Sequence, residues 1–336
     1  MNIDSQTLGL INKFVKGKEN LKFTIGCISG NNTLIKVFDS KGEIDTTQTI
    51  YYEIGSITKT FTSALLAKYV QEGKMMLNDS IKDYIQDLPD GQYYPTLKRL
   101  ATHTSGYSAL LPFNTLDFLK LIINTLANGG TKSNPLADLI NTDEMKKVIR
   151  SKRLKDKDYP YAYSNFGYDV LGYILGTISK KGYWNAMNEF ITHDLGLTDT
   201  CLGIVNDKNI HGFNRKNKDF GNWLWNSDDL LAPAGGMSST AQDLLDYAKK
   251  NMYEQKPYLS LCHDKQADAT KKMDMGLGWE LQKGNNIICK DGATGCFTSF
   301  LGFDKNKKNA VVVLSNYTCY AISKIGLSML GKLQCY

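Results

Sequence analysis

The sequence predicts an α+β protein: one antiparallel β-sheet flanked by N- and C-terminal helices, with an inserted all-helical lobe. Three observations carry that expectation. Short, Gly-punctuated, β-rich segments stand at both ends of the chain, a long helix-and-loop interval separates them, and the outermost segments are amphipathic. At 336 residues, 42% of them hydrophobic, the chain can bury a large core and hold two intimately packed subdomains. The expected division places residues 1–74 and 231–336 in the sheet domain and residues 75–230 in the helical lobe. A ligand cleft is expected between them.

Each element follows from local pattern. Residues 4 to 17 carry Leu8, Leu10, Ile11, Phe14 and Val15 on one helical stripe. "LKFTIGCISG" and "TLIKVFDSKGEI" alternate about Gly30, Asn31 and Asn32, which reads as a β-hairpin. A helix from about 57 to 73 follows and stops at Gly73. From there to about residue 230 the text reads as helix and loop, including "DYPYAYSNFGYDVLGYILGTISKKG", an aromatic loop that runs into an amphipathic helix. A helix in "STAQDLLDYAKKNM" precedes the returning strand signals "MGLGWELQ", "NNIICKDGATGCFTSFLGF" and "NAVVVLSN". A last helix is expected over 321 to 333.

Composition narrows the classes of function. The net charge of +6 is spread along the chain without a like-charge block, so a nucleic-acid arm has little support. No apolar run reaches the roughly 18 residues needed to span a bilayer, and the N-terminus is amphipathic rather than signal-like. A cytosolic protein is expected if Met1 is the native start, and a secreted or envelope protein if a signal peptide has been removed. Seven cysteines (Cys27, Cys201, Cys262, Cys289, Cys296, Cys319, Cys335) lack CxxC spacing, and the four histidines are isolated. Neither a metal site, a disulfide scaffold nor a cofactor is expected. The expected partner is a small molecule or short peptide, and a monomer is favoured.

"EIGSITKTFTSALLA" holds the strongest chemical signal. Ser56 and Lys59 are three apart at a helix start, so their side chains share a face about 5 to 6 Å apart at Cβ. An amine in a dry pocket, its pKa lowered, can take the hydroxyl proton. Free N–H groups at the helix N-terminus favour an oxyanion. A phosphate loop is excluded because Thr58, not glycine, precedes Lys59. "YAYSNFG" adds Tyr163 for proton relay and Asn165 to hold a carbonyl; a second Tyr-x-Asn, Tyr183 and Asn185, lies in helical text and ranks far behind. "CKDGATG" adds Lys290, Asp291 and Gly292 on a strand where glycine admits a substrate, with the Ser56 and Ala293 N–H groups as oxyanion donors. That strand is expected at a sheet edge, where an extended acyl group or peptide can lie along it. His103 and Thr104 in "THTSG" read as turn residues. Tyr159, Tyr161, Tyr163, Tyr168, Trp223 and Trp225 are candidates for the cleft wall, with core packing as the alternative. Cys296 is read as a buried filler or a pocket wall.

These elements, in this order, resemble the penicillin-recognising serine hydrolases, in particular the class C β-lactamase and D,D-peptidase/esterase branch. "EIGSITKTFTSALLA" is similar to that branch's SxxK box, "YSNFGYDVLGYIL" to its YxN box, and "LATHTSGY" and "LAPAGGMSSTAQDL" are also family-like. The resemblance implies a β-lactamase/transpeptidase-like fold and a serine hydrolase acting on a small ester, amide or β-lactam through an acyl-enzyme. It makes Ser56 the nucleophile, Lys59 its base or proton shuttle, Tyr163 a partner base and leaving-group acid, and Asn165 an orienting amide. Lys290 with Gly292 forms the third box. Whether Lys59 or Tyr163 takes the first proton stays open. The family's third box has Thr or Ser where this chain has Asp291. An ionised Asp291 facing the pocket repels a substrate carboxylate by about 4 kcal/mol at an effective dielectric of about 20, which implies a weak β-lactamase that prefers neutral esters or amides, or peptides with a free amine. The alternative is that Asp291 points away. A second function class, a covalent penicillin-binding or sensor protein that deacylates slowly, shares the same residues.

Overall fold

The structure, a computed structural model, describes residues 3–108, 119–120, 123, 126–128, 130–132, 134, 141–205 and 209–333. Its strands are β1 (Phe23–Ser29), β2 (Asn32–Asp39), β3 (Gly42–Ile44), β4 (Tyr52–Glu53), β5 (Cys201–Leu202), β6 (Gly212–Phe213), β7 (Asp219–Gly221), β8 (Met237–Ser239), β9 (Ala267–Asp268), β10 (Met273–Met275), β11 (Glu280–Gln282), β12 (Ile287–Thr294), β13 (Phe297–Asp304) and β14 (Asn309–Ser315). Nine of them form an antiparallel sheet in the order β3-β2-β1-β14-β13-β12-β11-β10-β9. N-terminal and C-terminal strands meet where β1 pairs with β14, Phe23 opposite Ser315.

Local chemistry explains the boundaries. Asp4 caps the helix Ser5–Val15 by accepting from the Thr7 N–H at 3.1 Å. In the first hairpin Ser29 opposes Asn32, which leaves Gly30 and Asn31 as a two-residue turn. The helix Thr58–Gln71 ends just before Gly73, whose φ is +69°. Thr240 caps Ala241–Met252, and the last helix spans Ile322–Lys332.

The sheet is buried on both faces, so its central strands read as apolar runs rather than alternating text. Val311 and Val313 of β14 face one core with the helices Ser5–Val15 and Ile322–Lys332. Ala310, Val312 and Leu314 face the other, with Thr58–Gln71, Asn165–Ser179 and Ala241–Met252. Two details differ from the sequence reading. The interval 201–221 carries three short strands, β5, β6 and β7, each of two or three residues and too brief for periodicity to register. And β12 is not an edge strand of the sheet, since β11 lies beyond it. That pairing covers only Ile288 and Cys289, so residues 290–294 remain open on that side. Among the described residues no helix is long and apolar enough to cross a membrane.

Candidate active site

The site forms where the turn after β4 meets the open end of β12. β4 ends at Glu53, and a single 3₁₀ turn, Gly55–Ile57, leads into the helix Thr58–Gln71. Two glycines permit the close approach. Gly55 has φ +50°, and a Cβ there would lie 2.6 Å from the Ala293 N; a Cβ on Gly292 would lie 2.1 Å from the Ile54 O and 2.8 Å from the Ser56 N. The Ser299 hydroxyl on β13 donates to the Ile54 carbonyl at 2.7 Å and fixes the turn to the sheet.

Ser56 Oγ lies 3.0 Å from Lys59 Nζ and 2.5 Å from Tyr163 Oη. Lys59 is fully buried, and its ammonium also donates to the Ala234 carbonyl at 2.5 Å. Tyr163 precedes the helix Asn165–Ser179, which Ser164 caps by accepting from the Gly167 N–H at 3.1 Å. The Ser164 N–H in turn donates to His103 Nδ1 at 3.1 Å, and the His103 ring packs 4.5 Å from the Tyr163 ring. An accepting Nδ1 places the imidazole proton on Nε2. Burial, with the charges of Lys59 and Lys290, drives the His103 pKa well below 6.5, so it is a neutral support and not a base. Its φ of +60° agrees with the turn role read from sequence, while its packing on Tyr163 had no sequence signal.

The electrostatics suit proton transfer. Burial lowers the Lys59 pKa from 10.5, and the Lys290 charge adds to the effect, while Tyr163 and Asp169 oppose it. For Tyr163 burial acts upward, but Lys59, Lys290 and the Ser56 hydroxyl outweigh it and bring the phenol below 10.0. Lys290 is buried, 5.3 Å from the Tyr163 ring centre, and its ammonium donates to Glu280 at 2.9 Å. Burial lowers its pKa, but Glu280, Tyr163 and Asp291 more than offset that and keep it charged. Glu280, opposite Cys289 on β11 and so diagonal to Lys290, was not singled out in the sequence. Its only signal was an acid one register step from a lysine across a hairpin that sequence alone does not align.

The Asp291 carboxylate accepts from Ser323 Oγ at 2.7 Å on the last helix and lies 3.3 Å from Lys290 Nζ. It is absent from the wall of the cavity at Ser56, and the Ser323 bond holds it toward the last helix. Asn165, Ala293 and Ser56 do share that cavity, of about 90 Å³, with Trp223 and Trp225 as its aromatic wall. Tyr183 and Asn185 are structural: Tyr183 bonds Thr62 at 2.8 Å, and Asn185 donates to the Lys181 carbonyl at 3.0 Å. Cys296 is buried, does not line the cavity, and its thiol is pushed up to about 12 by burial. Cys335 lies outside the described residues.

Comparison with known proteins places the fold in a family. The family model described as Beta-lactamase matches residues 32–319. Protein flp of Staphylococcus aureus (strain N315) is 24% identical over 332 residues, covering 89% of this chain and 62% of that protein. The chain thus spans less than two thirds of that relative's length. Among solved structures, a class C β-lactamase superposes with a TM-score of 0.79 at 21% identity over 99% of both chains. A D-stereospecific amidohydrolase from Streptomyces sp. superposes with a TM-score of 0.74 at 17% identity over 98% of both. At these identities the structures attest the fold alone. The family match, spanning most of the sequence and enclosing the Ser56 turn, the Tyr163 loop and β12, establishes that the chain belongs to the β-lactamase family.

Proposed function

We propose that the chain is a serine hydrolase that cleaves a small ester, amide or β-lactam through an acyl-enzyme on Ser56. One observation carries the reading: Ser56 Oγ sits within hydrogen-bond distance of both Lys59 Nζ and Tyr163 Oη, where burial depresses the Lys59 pKa and the Lys59 and Lys290 charges overcome burial to depress that of Tyr163. The Lys59–Tyr163 pair, having lost one proton, takes the hydroxyl proton as Ser56 Oγ bonds to the substrate carbonyl carbon. The oxyanion lies against the Ser56 and Ala293 N–H groups. Collapse breaks the bond to the leaving group, which receives its proton through Tyr163; water then releases the acid by the reverse relay. Asn165 and the open backbone of β12 hold the substrate, and Lys290 keeps positive potential on Tyr163.

A panel of nitrocefin, p-nitrophenyl butyrate and a D-amino-acid amide tests the reading, with wild-type protein and Ser56→Ala. The expected result is turnover of at least one compound that disappears in Ser56→Ala at an unchanged melting temperature. Equal turnover by Ser56→Ala would refute it. An adduct that persists through the assay would instead favour the slowly deacylating penicillin-binding or sensor protein.

A further inference from the structure

The reacting centre divides the site by charge. Resting on the hydrolase reading above, we propose that the cavity beside Ser56 is the acyl-group subsite, that it selects a short, uncharged, apolar acyl group, and that Trp223 and Trp225 set this preference.

The direction follows from the tetrahedral carbon. Once that carbon is bonded to Ser56 Oγ, its oxyanion, leaving atom and acyl carbon point apart. The leaving atom must reach the Tyr163 proton, so the leaving group lies on the side of Tyr163, Lys290 and Glu280, where the ionised groups gather. Neither Lys59, Tyr163 nor Lys290 lines the cavity, whose β12 residues, Ala293 and Thr294, lie beyond Lys290 along the strand. Beyond Ser56 and Asn165 its described wall is Trp223, Trp225, Leu231, Ala234, Ala293 and Thr294, with Gly235. No described lining residue carries a charge.

Size and rigidity sharpen the selection. The cavity is small, about 90 Å³ against the roughly 300 Å³ or more of a pocket for a drug-sized ligand, which suits a short acyl chain. The aromatic wall is held in advance. Buried Glu53 accepts from the Trp223 N–H at 2.8 Å and from the Asn222 amide at 3.1 Å, and the Trp223 indole donates to the Thr131 carbonyl at 3.3 Å. The two indoles stand 6.2 Å apart, tilted by 55°. A carboxylate on the acyl chain would lose part of its water there and find no cationic side chain in the described wall.

The test compares kcat/KM for p-nitrophenyl acetate, butyrate and hemisuccinate, whose common leaving group cancels the charged side of the site. For wild-type protein a gain of about fourfold per methylene is expected from acetate to butyrate. Butyrate is expected to exceed hemisuccinate by at least about 100-fold. Trp225→Ala should reduce the acetate-to-butyrate gain severalfold, and Trp225→Arg should narrow the butyrate-to-hemisuccinate gap at least about tenfold. Wild-type rates for butyrate and hemisuccinate within about threefold of one another would overturn the inference, whether or not either variant folds. Failure of all three esters to acylate Ser56, read by intact mass, would overturn the hydrolase reading for such esters and this inference with it.

Discussion

In the proposed mechanism, one proton shared among three side chains governs the chemistry at Ser56. Lys59 and Tyr163 both sit below their ordinary values of 10.5 and 10.0, and their pair acts as a base only after losing a proton. The rate therefore falls as pH drops through the pair's depressed pKa. Lys290 lowers both groups, so Lys290→Met should move the acid limb of the kcat/KM profile to higher pH. An unmoved limb with measurable activity would contradict this electrostatic role. Asp169 offers a second test. It is fully buried, neither carboxylate oxygen has a partner, and burial raises its pKa well above 3.8, with Lys59 opposing. The unfolded chain thus releases this proton at lower pH than the folded one, and stability falls as pH rises above 3.8. Asp169→Asn should flatten that slope and raise the melting temperature near neutrality. Calorimetry across pH 4 to 8 checks it, and a variant with the wild-type slope would refute it. Ser56, Lys59 and Tyr163 were legible because spacing along a helix or loop places side chains. The Ala234 carbonyl was not legible, since a backbone acceptor leaves no trace in residue type.

Among the elements, the decisive contact is the pass of β12 against the turn after β4. Gly292→Ala would place a methyl carbon 2.1 Å from the Ile54 carbonyl oxygen and 2.8 Å from the Ser56 N, so turn and strand must separate. A displacement of about 1 Å at a reacting group costs on the order of 100-fold in rate. Gly292→Ala should lose about that factor in kcat/KM while its far-UV circular dichroism stays close to wild type; full activity would mean that the approach is dispensable. In the sequence these glycines read as permissive, but what they approach is set by pairing between segments more than 200 residues apart. A tertiary contact also hid the direction of Asp291, whose partner Ser323 belongs to the last helix.

Across the whole molecule, β1 to β3 from the N-terminal part and β9 to β14 from the C-terminal part complete one sheet, and the loop and helices between them supply Tyr163, Asn165 and the Ala234 carbonyl. That architecture was legible because β-rich text stands at both ends of a helical interval. The short strands β5 to β7 were not, since two or three residues carry no period. The assembly brings the proposed nucleophile, its proposed proton acceptors and an apolar cavity to one point, where the proposed function requires a covalent acyl intermediate. Rapid quenching of the wild-type protein with p-nitrophenyl butyrate, followed by intact mass and peptide mapping, tests it most directly. One transient butyryl group is expected, located on Ser56 and lost on further incubation. Hydrolysis with no butyryl group at any quench time, or with the group on another residue, would contradict it.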